Sequence, residues 1–195
     1  MESAAGFPLV LTAARGGDEA AWRELYSGLA PIVLRYLKAR RAPDPEDLLG
    51  DVFVQVVRKL DSFTGGEEEF RAWVITIARH RLIDRSRERG RRPVDPQPDD
   101  LIAQVGPSGD VEGDVMRNLD AERLRSAIFD LSPDQQDVIV MRLLLGFNID
   151  EVASALGKNP GAIKALQSRG VRALRRSLGP QAVSYLALAA LIGMR

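Results

Sequence analysis

The chain has no cysteine and a single histidine, His80, in 195 residues. Disulfides and thiolate metal sites are thereby excluded, and a reducing compartment suits the composition. A histidine-based metal centre or catalytic triad lacks its parts. Long apolar runs are missing too: the longest, 182–194, falls short of the ~18–20 residues that span a bilayer. The N-terminal stretch carries Glu2 and no basic leader, so it does not read as a secretion signal. There is no glycine-rich phosphate loop followed by lysine and serine, and no histidine–nucleophile set. Glu67–Glu69 are three adjacent acids that do not share a helix face, and acids at a helix start account for them. These absences lead to the expectation of a cytoplasmic protein that is not an enzyme, with no metal, no cofactor and no membrane insertion.

What is present is strongly segregated charge. The chain is formally neutral, with 27 basic and 27 acidic residues. From Arg79 to Arg92, however, seven arginines face only Asp84 and Glu88. Residues 93–122 hold eight acids against Arg117. From Val152 to the last residue there are seven basic residues and no acid. Two basic patches thus flank an acidic segment, and basic patches suit phosphate backbones.

Hydrophobic content of 45% is enough for a core, and the length fits one or two small domains. Strand signals are weak and helical periodicity is strong. Asp18 caps an expected helix from about Glu19 to Arg40, with Trp22, Leu25, Tyr26, Leu29, Val33, Tyr36 and Leu37 at core spacing. Pro31 should bend or break it. Asp44 and Pro45 open a second helix, running to about Leu60, and residues 61–69 read as a loop. "FRAWVITIARHRLIDRSRERGRR", 70–92, reads as a third long helix. Residues 91–114, rich in Pro, Gly and Asp, read as a flexible linker. Shorter helices follow: Arg117–Asp130, one begun by Ser132 and Pro133 with Gln135 near a capping-box position, "NIDEVASALG" closed by Gly157, and one opened by Asn159 and Pro160.

The last two helices and the tight turn Leu156–Asn159 form a helix-turn-helix pattern. Advancing 100° per residue from Pro160 sets Ile163, Leu166, Gly170, Ala173 and Leu174 on one side and Lys164, Ser168, Arg172 and Arg175 on the other. An ordinary amphipathic helix has the same pattern. The preceding helix, the turn and the absence of acid favour DNA binding. On Glu46–Leu60, Leu49, Val52, Phe53, Val56 and Leu60 share a core face, while Asp47 and Asp51 lie four apart on the other, near Val54 and Gln55. Such a like-charge pair mildly destabilises an isolated helix and makes sense beneath a basic partner. In the third helix Phe70, Trp73, Val74, Ile77 and Ala78 form an apolar stripe. Trp73 suits a core as well as a base-stacking role, and aromatic residues beside arginines suit single-stranded nucleic acid. His80, without a partner histidine or cysteine, reads as a surface or contact residue.

These residues resemble the bacterial RNA polymerase sigma factors of the extracytoplasmic-function (ECF) type in the sigma-70 family. "DPEDLLGDVFVQVVRKLDSF" is similar to the core-polymerase-binding helix. Residues 70–92 are similar to the promoter-melting and minus-ten-reading helix. "LSPDQQDVIVMRLLLGFNIDEVASALGKNPGAIKALQSRGVRALRRSL" is similar to the fourth region, which reads the minus-thirty-five element. The resemblance implies an all-α fold: sigma region 2 over 1–92, a flexible acidic linker over 93–116, sigma region 4 over 117–179 and an apolar tail over 180–195.

The resemblance also implies core polymerase contacts by Asp47, Leu48, Asp51, Val54 and Gln55. Minus-ten contacts would fall to Phe63, Thr64, Trp73, Arg79, His80, Arg81 and Arg85. Minus-thirty-five contacts would fall to Asn159, Gly161, Lys164, Ala165, Ser168, Arg169 and Arg172. Implied partners are core RNA polymerase and promoter DNA, with room for an anti-sigma factor. Three residues depart from the family pattern: Gly50 stands where glutamine is common, His80 where asparagine is common, and Gly170 where a larger residue is usual. A stand-alone helix-turn-helix regulator would explain 132–178. It would not explain the acidic face at Asp47 and Asp51 or the arginine-rich helix.

Overall fold

A computed structural model describes residues 6–90 and 123–179. The expected acidic linker, 93–116, and the apolar tail, 180–195, lie outside the described residues. The described residues form helices and no strand, in two helical units.

The first unit begins with a helix that periodicity did not mark, α1 (Phe7–Arg15), with Pro8 in its first turn. Phe7 reaches the ring of Phe70 with centroids 5.4 Å apart. Arg15 donates to the carbonyls of Leu60 (3.3 Å) and Phe63. It thereby satisfies acceptors left open where a helix ends.

Helix α2 (Glu19–Ala39) starts at Asp18, whose carboxylate accepts from the Ala21 N–H at 2.8 Å. Pro31 does not interrupt it. The proline and Ser27 both face water, so the carbonyl that loses its helical donor remains hydrated. Leu25, Leu29, Val33, Tyr36 and Leu37 are buried as spaced. Tyr26 is about half exposed, although its ring still packs on Phe53 at 4.6 Å.

Helix α3 (Pro45–Lys59) follows Asp44, which adopts a left-handed conformation and makes no side-chain capping bond. Pro45 supplies the first helical position instead. A single tight turn, Leu60–Ser62, closes α3. Helix α4 (Glu67–Gly90) then starts three residues earlier than the apolar stripe, because Glu69 reaches back to the Gly66 N–H at 2.9 Å.

In the second unit, α5 covers 123–129. Gln136 holds it to the next helix by donating to the carbonyls of Phe129 (2.7 Å) and Leu131 (2.8 Å). Helix α6 (Pro133–Ile139) carries the Ser132–Gln135 capping box. It widens into one loose turn, Val140–Leu144, in which the Leu145 N–H bonds five residues back to Val140. Helix α7 (Ile149–Leu156) runs from a second capping box, Asn148 with Glu151, to left-handed Gly157. Helix α8 (Pro160–Leu178) is capped by Asn159, which accepts from the Ala162 N–H at 2.8 Å.

Gly170 lets α8 approach α6. A Cβ placed there would stand 2.9 Å from Ile139 Cγ1, so the close neighbour is α6 and not the preceding helix α7. The two units touch where α7 packs on α4. There Thr76 Oγ1 lies 3.2 Å from the Ala155 carbonyl, and the Arg71 guanidinium sits 4.9 Å from the centroid of Phe147.

Candidate nucleic-acid interface

Helices α2 and α4 both pack on α3 and so bury a wide arc of it. Leu48 falls inside that arc at 1% exposure, beside Leu49, Val52 and Val56. This corrects its expected place on the polymerase face: its side chain belongs to the core. Asp47 is exposed, Val54 is 49% exposed and Gln55 is half-buried. Val57, 55% exposed, extends this surface and was missed by sequence reasoning. The available signal was an apolar residue three positions after Val54 and off the core arc. Asp51 is not left for a partner. It takes Arg85 at 2.8 Å and Arg81 at 3.5 Å, so α3 and α4 are tied through it.

The α4 entrance also departs from expectation. Phe63 is 6% exposed, with its ring 5.1 Å from both Phe70 and Trp73. It serves the core and does not line an open base pocket; Thr64 beside it is exposed. Trp73 is half-buried and stacks on Phe70 at 5.6 Å, so one part of the ring packs and another meets water. His80 is exposed.

None of the three arginines expected to hold nucleic acid lies open. Arg81 and Arg85 lean on Asp51. Arg79 donates from Nε to Asp137 Oδ2 at 2.7 Å and approaches Asp134 at 3.5 Å, both on α6.

Asp137 is the centre sequence reasoning missed. It is 1% exposed. Tyr36 donates to Oδ1 at 2.7 Å, and Arg40 Nε stands 2.8 Å from the same oxygen as an ion pair without hydrogen-bond alignment. Burial, and then the field of Asp137, push the Tyr36 hydroxyl far above the usual tyrosine range, so it remains a donor. Burial works against the Arg79 charge, but the Asp137 bond and field outweigh it and hold the guanidinium above its ordinary pKa. A signal did exist: Asp137 shares a helical face with Val140 and Met141, an acid at a core position. Lys158 closes the edge with an ion pair to Asp134 at 2.9 Å.

The α8 face is different. Gly161, Lys164, Ala165, Ser168, Arg169, Arg172 and Arg175 are all exposed along it, while Ile163, Gly170 and Leu174 are buried. Asn159 is occupied as the cap. The helix therefore offers an acid-free polar ridge about the width of one groove. Among the described residues no group of three or more acidic or histidine side chains could hold a metal ion. No described helix is long and apolar enough to cross a membrane.

Comparison with known proteins agrees with this division. Residues 22–92 match the family model for sigma-70 region 2, and residues 121–174 match that for sigma-70 region 4. The ECF RNA polymerase sigma factor BldN of Streptomyces coelicolor is 32% identical over 167 residues, covering 85% of this chain, which spans 63% of that relative's length. The ECF RNA polymerase sigma factor ShbA of Streptomyces griseus is 29% identical, over 82% of this chain and 88% of its own. Among solved structures, the sigma factor RpoE of Bartonella quintana, in complex with the anti-sigma factor NepR, shares the fold with a TM-score of 0.67 at 23% identity. That likeness covers 82% of this chain and 97% of RpoE. Two matched regions in order, on an all-helical chain with an exposed basic helix-turn-helix, place this protein in the ECF group of the sigma-70 family, a family of transcription initiation factors and not of enzymes.

Proposed function

We propose that the chain binds core RNA polymerase and lends it promoter specificity, with α4 at the minus-ten element, where the duplex opens, and α8 at the minus-thirty-five element. The observation that carries this reading is the exposed ridge Lys164, Ser168, Arg169 and Arg172 on a capped helix-turn-helix, in one chain with the acidic and apolar α3 surface. Domain 1–92 would hold polymerase and the minus-ten DNA, 117–179 the upstream element, and 93–116 would connect them. Asp47, Val54, Gln55 and Val57 form the surface offered to polymerase. The protein acts in the cytoplasm, where polymerase works, and catalyses no reaction of its own. The relative RpoE is complexed with an anti-sigma factor, which supports a protein antagonist for this chain as well.

Run-off transcription with core polymerase and a promoter library tests the proposal. Specific transcripts should appear only when the chain is added. A chain that footprints duplex DNA alone but neither binds core enzyme nor yields a transcript would instead be a stand-alone helix-turn-helix regulator.

A further inference from the structure

We propose that Tyr36, Arg40 and Arg79 form one anion site, which Asp137 fills as a stand-in for a phosphodiester, so that docking of the second helical unit and binding of nucleic acid to α4 exclude one another. Tyr36 and Arg79 as donors and Arg40 as an ion-pairing cation come from the first unit and converge on a carboxylate supplied by the second, 58 residues beyond Arg79 in sequence and 101 beyond Tyr36. A guanidinium binds carboxylate and phosphate oxygens through the same planar donors, so the two anions compete for one geometry. Asp134 adds a second carboxylate at the edge of Arg79, much as successive phosphates present successive charges.

The surrounding contacts have a matching character. Arg71 rests on Phe147, and Arg41 lies 4.8 Å from the centroid of Phe129. Each of these cations regains water or a phosphate when the units separate, which offsets part of the cost of exposing Phe147, fully buried in the docked chain. The α8 ridge stays exposed in the docked chain. The docked chain therefore has its upstream-element helix available while Arg79 is occupied. The nucleic-acid half of the inference rests on the function proposed above; the docking half does not.

The test uses the full chain, whose lack of cysteine allows clean labelling. Spin labels at Ser27→Cys and Ser177→Cys, both exposed positions, report the distance between units. The wild type should show a single narrow distance distribution. Asp137→Asn should lengthen and broaden it, and Asp137→Ala serves as a second variant, with helicity checked by circular dichroism. A random-sequence single-stranded 20-mer is the binding probe. It should bind Asp137→Asn at least about tenfold more tightly than wild type, because the docked fraction no longer lowers the apparent affinity. Adding Arg40→Gln to Asp137→Asn should cancel that gain.

Unchanged distances in both Asp137 variants would overturn the docking half. Separation without a gain in 20-mer affinity, or a gain that survives Arg40→Gln, would overturn the shared site. Run-off transcription by the same proteins is scored apart, so failure of the sigma-factor function is distinguishable from failure of this site.

Discussion

Arg85 Nη2 lies 2.8 Å from Asp51 Oδ2, joining the helix expected to face polymerase to the helix expected to face DNA. Both side chains keep roughly a third of their surface in water, so the pair contributes at most about 1 kcal/mol. Asp51→Asn should therefore lower the melting temperature slightly and loosen α4. Asp47 is exposed on the same helix. Asp47→Lys should leave the melt unchanged and weaken core polymerase binding. Normal polymerase affinity in Asp47→Lys would remove the outer face of α3 from that interface.

Two glycines in helices should respond to alanine in opposite ways. Gly50 is exposed in the middle of α3 and a Cβ there meets nothing within 4 Å. Gly50→Ala should stabilise the chain by about 0.5–1 kcal/mol through helix propensity alone. Gly170→Ala gains the same propensity but forces a Cβ against the buried Ile139. Overpacking costs typically about 1–3 kcal/mol, so the net effect should be destabilising. Thermal or denaturant unfolding of the two variants decides, and equal shifts would contradict the close approach of α8 to α6.

Trp73 carries part of the aromatic cluster with Phe63 and Phe70. Its half-burial predicts a loss of about 2 kcal/mol on Trp73→Ala, below the ~3–5 kcal/mol of a fully buried ring. Trp73→Phe should recover most of that stability. If it also restores promoter opening, read by permanganate reactivity of thymines, packing is the function of the ring. If stability returns and opening does not, the exposed indole edge touches the melted strand.

The α8 ridge makes a salt-dependence prediction. Each phosphate that the protein no longer neutralises flattens the slope of log K against log salt by about 0.9. Lys164→Ala with Arg169→Ala and Arg172→Ala should reduce the slope for upstream-element duplex by about 2–3. Asn159→Ala should act otherwise. It removes the cap and destabilises the second unit by about 1 kcal/mol without changing the slope. Fluorescence titrations at several salt concentrations separate the two effects.

Most helix boundaries were legible because they are decided within four residues. Ser132 with Gln135, Asn148 up to Gly157, and Asn159 with Pro160 each set a cap through contacts between near neighbours in sequence. Helix α1 escaped notice because it is short and its packing partner, Phe70, lies 63 residues on. Pro31 does not break α2, because the outcome of a lost hydrogen bond depends on whether water can replace it at an exposed position.

The sequence by itself determined the all-helical character, the segregation of charge and the composition of the α8 ridge, since each follows from residue type and a fixed period of 100°. Tertiary structure alone decided the burial of Leu48 and Phe63, because burial is set by how many helices surround a position and not by its own spacing. It also decided the state of the arginine-rich helix. Seven arginines specify a demand for negative charge, but any carboxylate within reach can meet it. Which one does is fixed by docking: Asp51 for Arg81 and Arg85, and the buried Asp137 for Arg79.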